Sequence, residues 1–159
     1  MKSKKNTFVS RAAVGCVTTA IFLLLCIIKG IYPFGIATLD TVDFQSQWIP
    51  AYYHVWDVLH GDGSAFFDWR VGGGNNFAGV SAQFSLFSPF NLFFLFVKRS
   101  WIEKSMIVFI IIKLLAMGYG MRWFLKEQIL KEERYGIYIL AGSVGYAVNG
   151  YTLLYYGMG

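Results

Sequence analysis

Three long apolar runs shape this chain, separated by one long polar stretch and one short basic one. The first, Ala12 to Tyr32, is interrupted only by Lys29, which is close enough to its end to snorkel to an interface. The second extends from about Ser105 to Leu125 and contains Lys113, and the third from about Gly136 to Tyr156. About 20 helical residues cross about 30 Å of hydrocarbon, so each run predicts a membrane-spanning helix, over 12–33, 105–125 and 136–157. The first run is too long for a cleaved signal peptide, and Ile31-Tyr32-Pro33-Phe34 is a poor cleavage site. Residues 1–11 carry Lys2, Lys4, Lys5 and Arg11, while Arg122, Lys126, Lys131 and Arg134 gather around the loop 126–135. The positive-inside rule puts both basic segments in the cytoplasm and 34–104 on the other side of the membrane.

Within 34–104 the apolar positions Trp48, Tyr52, Val55, Trp56 and Leu59 recur at helical spacing. They predict an amphipathic helix over about 46–60, lying along the membrane surface, with Pro50 near its start and Gly61-Asp62-Gly63 ending it. The segment Phe84 to Val97 is also apolar but is broken by Pro89, and Phe90 to Val97 would be only about 12 Å long as an α-helix, far short of a span. An interfacial or re-entrant helix over about 89–97 fits it better, with Ser88 as N-cap and Pro89 at the first helical position. The expected fold is all-α and integral to the membrane, with about three spanning helices and one external loop that carries juxtamembrane helices.

Composition agrees: 56% of the residues are hydrophobic, 19% aromatic and 14% charged, against a soluble norm of about 25% charged. The formal charge of +5 does not imply a nucleic-acid partner, because the basic residues sit at the ends of apolar runs, where they set topology. Cys16 and Cys26 lie in the first run without metal or redox spacing. All five aspartates and both histidines fall between Asp40 and Asp68. A spanning helix holds such a cluster only at high cost, so the external loop is where chemistry is expected. His54 and His60 are six apart, off the four-residue spacing that lets two helical ligands share a metal, so no metal site is expected. Asp57, Asp62 and Asp68 read as solvated loop or helix-end charges.

Asp43 and Gln47 are four apart and share a face if the segment is helical. Trp69 is followed shortly by Gly72-Gly73-Gly74-Asn75-Asn76-Phe77, where successive glycines suit a sharp turn or the close approach of a ligand to the backbone. The lysine and hydroxyl residue of a Walker loop are missing, so the signal for a stand-alone phosphate loop is weak and a flexible loop is the competing reading. Tyr52, Tyr53, Trp56, Phe66, Phe67 and Trp69 could stack on sugar faces, but an interfacial belt also requires aromatics.

Five blocks in order then carry a resemblance: Pro33-Phe34-Gly35; Asp43-x-x-x-Gln47-x-x-Pro50; Trp69 with the Gly-Asn-Asn-Phe turn; Ser88-Pro89-Phe90-Asn91-Leu92; and Tyr146-Ala147-Val148-Asn149-Gly150-Tyr151. From Ile31 onward the chain resembles the N-terminal part of the YfhO family of bacterial multi-spanning membrane proteins. That family is related to the GT-C class of glycosyltransferases, and its members are much longer than this chain, so the resemblance implies an N-terminal fragment of a GT-C-like fold. It also implies a polyprenyl-phosphate-linked sugar donor, an acceptor that is a teichoic-acid-like cell-envelope polymer or a glycolipid, and a place in the bacterial cell membrane. The family's external aspartate maps onto Asp43, with Gln47 beside it, and implies a general base. Asp40, three residues upstream, is the alternative, but it lacks Gln and Pro at the matching offsets. Asn149 departs from the family pattern, where Ser is common.

Such a reaction needs positive charge near the departing phosphate, and Arg70, Asn75, Asn76 and Lys113 are the candidates for phosphate or substrate binding. Lys98, Arg99 and Lys104, in or at the end of the same loop, could also meet the phosphate but read more simply as interface anchors. Lys113 stands out because it lies well inside an apolar run. The residues call for no cofactor and give a divalent metal no support. Two other readings stay open at this point: a lipid-linked sugar transporter or flippase, and a small non-enzymatic membrane subunit.

Overall fold

A computed structural model describes residues 2–37, 39, 44–80, 88–129 and 136–155. The chain is mainly helical and divides into two compact units, one formed by 1–39 with 110–159, the other by 40–109.

In the first unit, helix α1 runs Lys2–Ile28, and α4, Ile102–Phe124, contributes its residues from Ile110 onward. The third apolar run forms α5, Gly136–Ala147, and α6, Gly150–Tyr155. Burial follows a four-residue step on each longer helix. Val14, Thr18, Phe22 and Cys26 are fully buried on α1, while Ile110, Leu114 and Arg122 on α4 and Ile139, Ser143 and Ala147 on α5 are also buried. Residues four apart form one ridge of a helix, so these helices meet along narrow seams. Small residues permit that approach: a methyl group added at Gly118 would come within 3.3 Å of Val14 and 3.6 Å of the Ala147 Cβ. Away from the seams, Leu24, Ile28, Trp123 and Ile137 are exposed. So much outward apolar surface suits lipid rather than water.

Among the described residues two helices are long and apolar enough to cross a membrane, Arg11–Ile28 and Arg99–Ile129. The first stops earlier than the apolar pattern suggests. Gly30 adopts φ +62°, the Gly30 N–H donates to the Ile27 carbonyl and the Ile31 N–H to the Cys26 carbonyl, which closes the helix with a Schellman motif. The third run is divided rather than continuous. The Asn149 side-chain amide donates to the Tyr146 carbonyl at 2.6 Å, ending α5, and its oxygen accepts the Thr152 N–H at 3.0 Å, starting α6. At 12 residues α5 is only about 18 Å long.

In the second unit, a π-helical turn, Phe44–Trp48, leads directly into α2, Ile49–Leu59, with Pro50 in the first turn, where its missing N–H has no intrahelical role. Helix α2 ends near the expected place, at His60 and a left-handed Gly61. It does not present one wet face. Tyr52 and Val55 are buried, and so are the polar His54 and Asp57. The segment after Ser88 forms a 3₁₀ helix, Pro89–Phe96, in place of the expected α-helix, and Ser88 makes no side-chain cap bond. At a rise of about 2 Å per residue its eight residues cover about 16 Å, still too short to span. The core of this unit is aromatic: the Phe94 ring lies 5.2 Å from Tyr52 and 5.0 Å from Phe109, and the Trp56 indole N–H donates to the Val97 carbonyl at 2.7 Å. A short antiparallel hairpin, β1 (Phe67–Asp68) and β2 (Asn75–Asn76), precedes the four-residue α3 (Phe77–Val80).

Candidate functional site

One cleft rich in polar and charged side chains stands out in the second unit, a cavity of about 830 Å³ whose lining includes Gln47, Tyr53, Asp57, Arg70, Asn75, Arg99 and Glu103. The π turn brings Gln47 to it, α2 brings Tyr53, His54 and Asp57, the hairpin brings Arg70 and Asn75, and the turn after the 3₁₀ helix brings Arg99.

The charges are ordered. Arg99 grips Asp57 as a fork, its Nε 2.7 Å from Oδ1 and its Nη2 3.2 Å from Oδ2, and its guanidinium also lies over the Tyr53 ring, 4.9 Å from the centroid. Arg70 makes the same kind of fork on Asp68, with Nη2 2.7 Å from Oδ2, and donates to the Asp62 carbonyl at 2.5 Å. The Arg70 Nη1 lies 3.7 Å from Asp57 Oδ2, so both guanidiniums approach one carboxylate. The hydrogen-bonded fork of Arg99 holds the Asp57 carboxyl below the usual carboxylate range despite its burial, and Arg70 does the same for Asp68. Tyr53 donates to Glu103 at 3.2 Å, and burial together with that carboxylate raises the phenol. His54 Nε2 is 3.1 Å from the Ser64 carbonyl oxygen, and its ring meets Phe77 edge-on at 4.0 Å. Among the described residues no group of three His, Cys, Asp or Glu side chains is placed to hold a metal ion.

Gly72, Gly73 and Gly74 all have positive φ, at +55°, +79° and +107°. A Cβ on Gly74 would also sit 2.6 Å from the Trp69 ring, so this turn requires glycine for both backbone and packing reasons. Gly74→Ala is expected to destabilise the hairpin by about 1–3 kcal/mol and to loosen the edge-to-face pair of Phe67 and Trp69. Faster proteolysis between 66 and 77, with a red-shifted tryptophan emission, would register it; unchanged cleavage would show that the turn tolerates a side chain.

Residues 15–157 match the family described as bacterial membrane protein YfhO. The chain belongs to that family. No curated protein and no solved structure matches it. The YfhO match covers nearly all of the chain and identifies a bacterial membrane protein, in agreement with the two apolar helices.

Several residues singled out in the sequence meet at the cleft, and others do not. Gln47, Arg70 and Asn75 line it. Asn76 has a local task, its side-chain oxygen accepting the Gly79 N–H at 3.2 Å at the start of α3. Lys113 is half-buried on the part of α4 that belongs to the first unit. Asp43 and Asp40 lie outside the described residues. Asp57 and Asp68 are not solvated charges: each side chain is only 10% exposed and each is held by an arginine. Nor is Arg99 merely an interface anchor. Sequence spacing could not pair Asp57 with Arg99, which lie 42 positions apart, although α2 carries no lysine or arginine of its own, a sign that any cationic partner had to come from another element.

Proposed function

We propose that this YfhO-family protein is a membrane glycosyltransferase of the GT-C type, moving a sugar from a polyprenyl-phosphate donor to a cell-envelope polymer or glycolipid. The observation that carries the reading is the cleft itself. It combines two half-exposed guanidiniums, suited to a phosphate, with Gln47 and Asn75, suited to sugar hydroxyls. The basic residues before the first span and after the second favour an orientation with 34–104 outside the cell, where lipid-linked donors of this kind are used.

In the reaction, the acceptor hydroxyl gives its proton to the Asp43 carboxylate while its oxygen bonds to the anomeric carbon. The bond from that carbon to the phosphate oxygen breaks, and polyprenyl phosphate leaves with the electron pair. Gln47, four residues on, would orient the sugar or the acceptor. Because the leaving group is already an acidic phosphate, a base and a cationic environment suffice, and a strong general acid is unnecessary.

The test uses sealed membrane vesicles containing the protein and a radiolabelled sugar on a polyprenyl phosphate. Transfer is expected to move label into an acceptor in a form that resists mild acid. Label that crosses the bilayer still attached to its lipid would instead identify a transporter and overturn the transferase reading.

A further inference from the structure

We propose that Arg70 and Arg99 form a two-arginine subsite for a phosphate group, and that Asp57 is the positioning residue that aims both at the cleft. The inference rests on the transferase reading for the identity of the donor, but it stands on the geometry of the cleft alone.

Asp57 is buried on α2, whereas the side chains of Arg70 and Arg99 are each 52% exposed. A fork made through Nε and Nη2 uses one edge of a guanidinium and leaves Nη1 on the other edge. Arg99 uses Nε and Nη2 on Asp57, and Arg70 uses Nε and Nη2 on Asp68 and the Asp62 carbonyl. Among the described residues neither Nη1 takes part in a hydrogen bond, and that of Arg70 is held 3.7 Å from the Asp57 carboxylate without donating to it. Two planar donor edges are therefore fixed around a single carboxylate at the wall of one cavity. A phosphate group, with several acceptor oxygens, can take a hydrogen bond from each arginine at once.

The supporting groups have separate tasks. Tyr53 stacks on Arg99 and so restrains its plane, and its hydroxyl occupies Glu103, the other carboxylate at the cleft. Asp57 and Asp68 neutralise much of the charge of the two arginines. Free of a ligand, such a site is stable; recognition comes from the arranged N–H groups more than from net charge. Arg70 is set by the hairpin and Arg99 by the segment after the 3₁₀ helix, and Asp57 is the group within 4 Å of both.

Equilibrium binding to the detergent-solubilised full chain tests this without any transfer step. The probes are a short-chain isoprenyl phosphate, the corresponding isoprenol and inorganic phosphate. Arg99→Gln and Arg70→Gln are each expected to weaken isoprenyl phosphate binding about tenfold or more, with isoprenol binding unchanged. Arg99→Lys should weaken it almost as much, because a point charge lacks the fork. Asp57→Asn should weaken phosphate binding about fivefold, Asp57→Glu should recover part of the loss, and Lys98→Gln, outside the cleft, should match the parent.

Isoprenyl phosphate binding far tighter than inorganic phosphate assigns the site to a lipid headgroup; equal affinity assigns it to a free phosphate. Phosphate affinity within twofold of the parent in both Arg99→Gln and Arg70→Gln would overturn the subsite. Should Asp57→Asn fail to fold, the two arginine variants and Arg99→Lys still decide the matter. Loss of phosphate binding in protein that transfers no sugar would uphold the subsite and reject the transferase reading.

Discussion

Asp43→Asn is expected to lower sugar transfer by about 10²- to 10⁴-fold, the range typical for removal of a general base, while leaving donor binding nearly intact. Asparagine is the informative replacement. It keeps the size of the side chain and caps helices about as well as aspartate does, so a role for Asp43 in starting the helical segment at Phe44 would survive the change. Only the capacity to take a proton is lost. The neighbouring Asp40→Asn serves as the comparison and is expected to retain activity within a few-fold of the parent. Gln47→Ala should fall between the two, raising KM for the donor more than it lowers kcat, because a neutral orienting group contributes binding in the ground state and transition state alike. The measurement is initial-rate transfer from a labelled polyprenyl-phosphate sugar in membranes carrying equal amounts of each variant. Full activity in Asp43→Asn together with a collapse in Asp40→Asn would move the base to Asp40, and full activity in both would leave the transferase reading without a base.

The parts of this protein legible in its sequence are those set by local physics. The first two apolar runs became helices of spanning length because long, predominantly apolar segments leave the backbone no other way to pair its N–H and C=O groups in lipid. Helix α2, with Pro50 in its first turn and the left-handed Gly61 just past its end, starts and stops for equally local reasons. What the sequence hid depends on side chains meeting across distance. Nothing in a pattern of apolar positions distinguishes an Asp57 that projects into water from one held by Arg99, and the helix turned out polar and buried on the same face. Asn149 is the converse case. One polar side chain in an apolar run looks tolerable, yet with an amide that both donates and accepts it ends one helix and starts the next, and hydropathy is insensitive to that geometry. The glycine turn was legible as a turn; that its last glycine also makes room for the Trp69 ring was not.

Phe94→Ala is expected to destabilise the second unit by about 3–5 kcal/mol, the largest effect on stability among the changes considered. Phe94 is fully buried, and its ring contacts three others: Tyr52 on α2, Phe93 beside it, and Phe109 on the first turns of α4. No nearby side chain can fill the space of a lost phenyl ring, because Tyr52 and Phe109 already meet edge-on at 5.3 Å. The 3₁₀ helix has only poorer hydrogen-bond geometry to fall back on, and the bond from Trp56 to the Val97 carbonyl just beyond its end would bear more of its attachment to α2. Two residues beyond that carbonyl lies Arg99. Loosening this packing should therefore pull Arg99 from Asp57 and weaken phosphate binding even though Phe94 does not line the cleft. Phe96 provides the contrast. It lies on the same short helix but is 88% exposed, and Phe96→Ala should change stability in detergent by no more than about 0.5 kcal/mol. Denaturant titration followed by tryptophan emission, paired with isoprenyl phosphate binding, measures both consequences. Equal costs at the two positions would mean that this helix is held by lipid and not by the aromatic core beneath it.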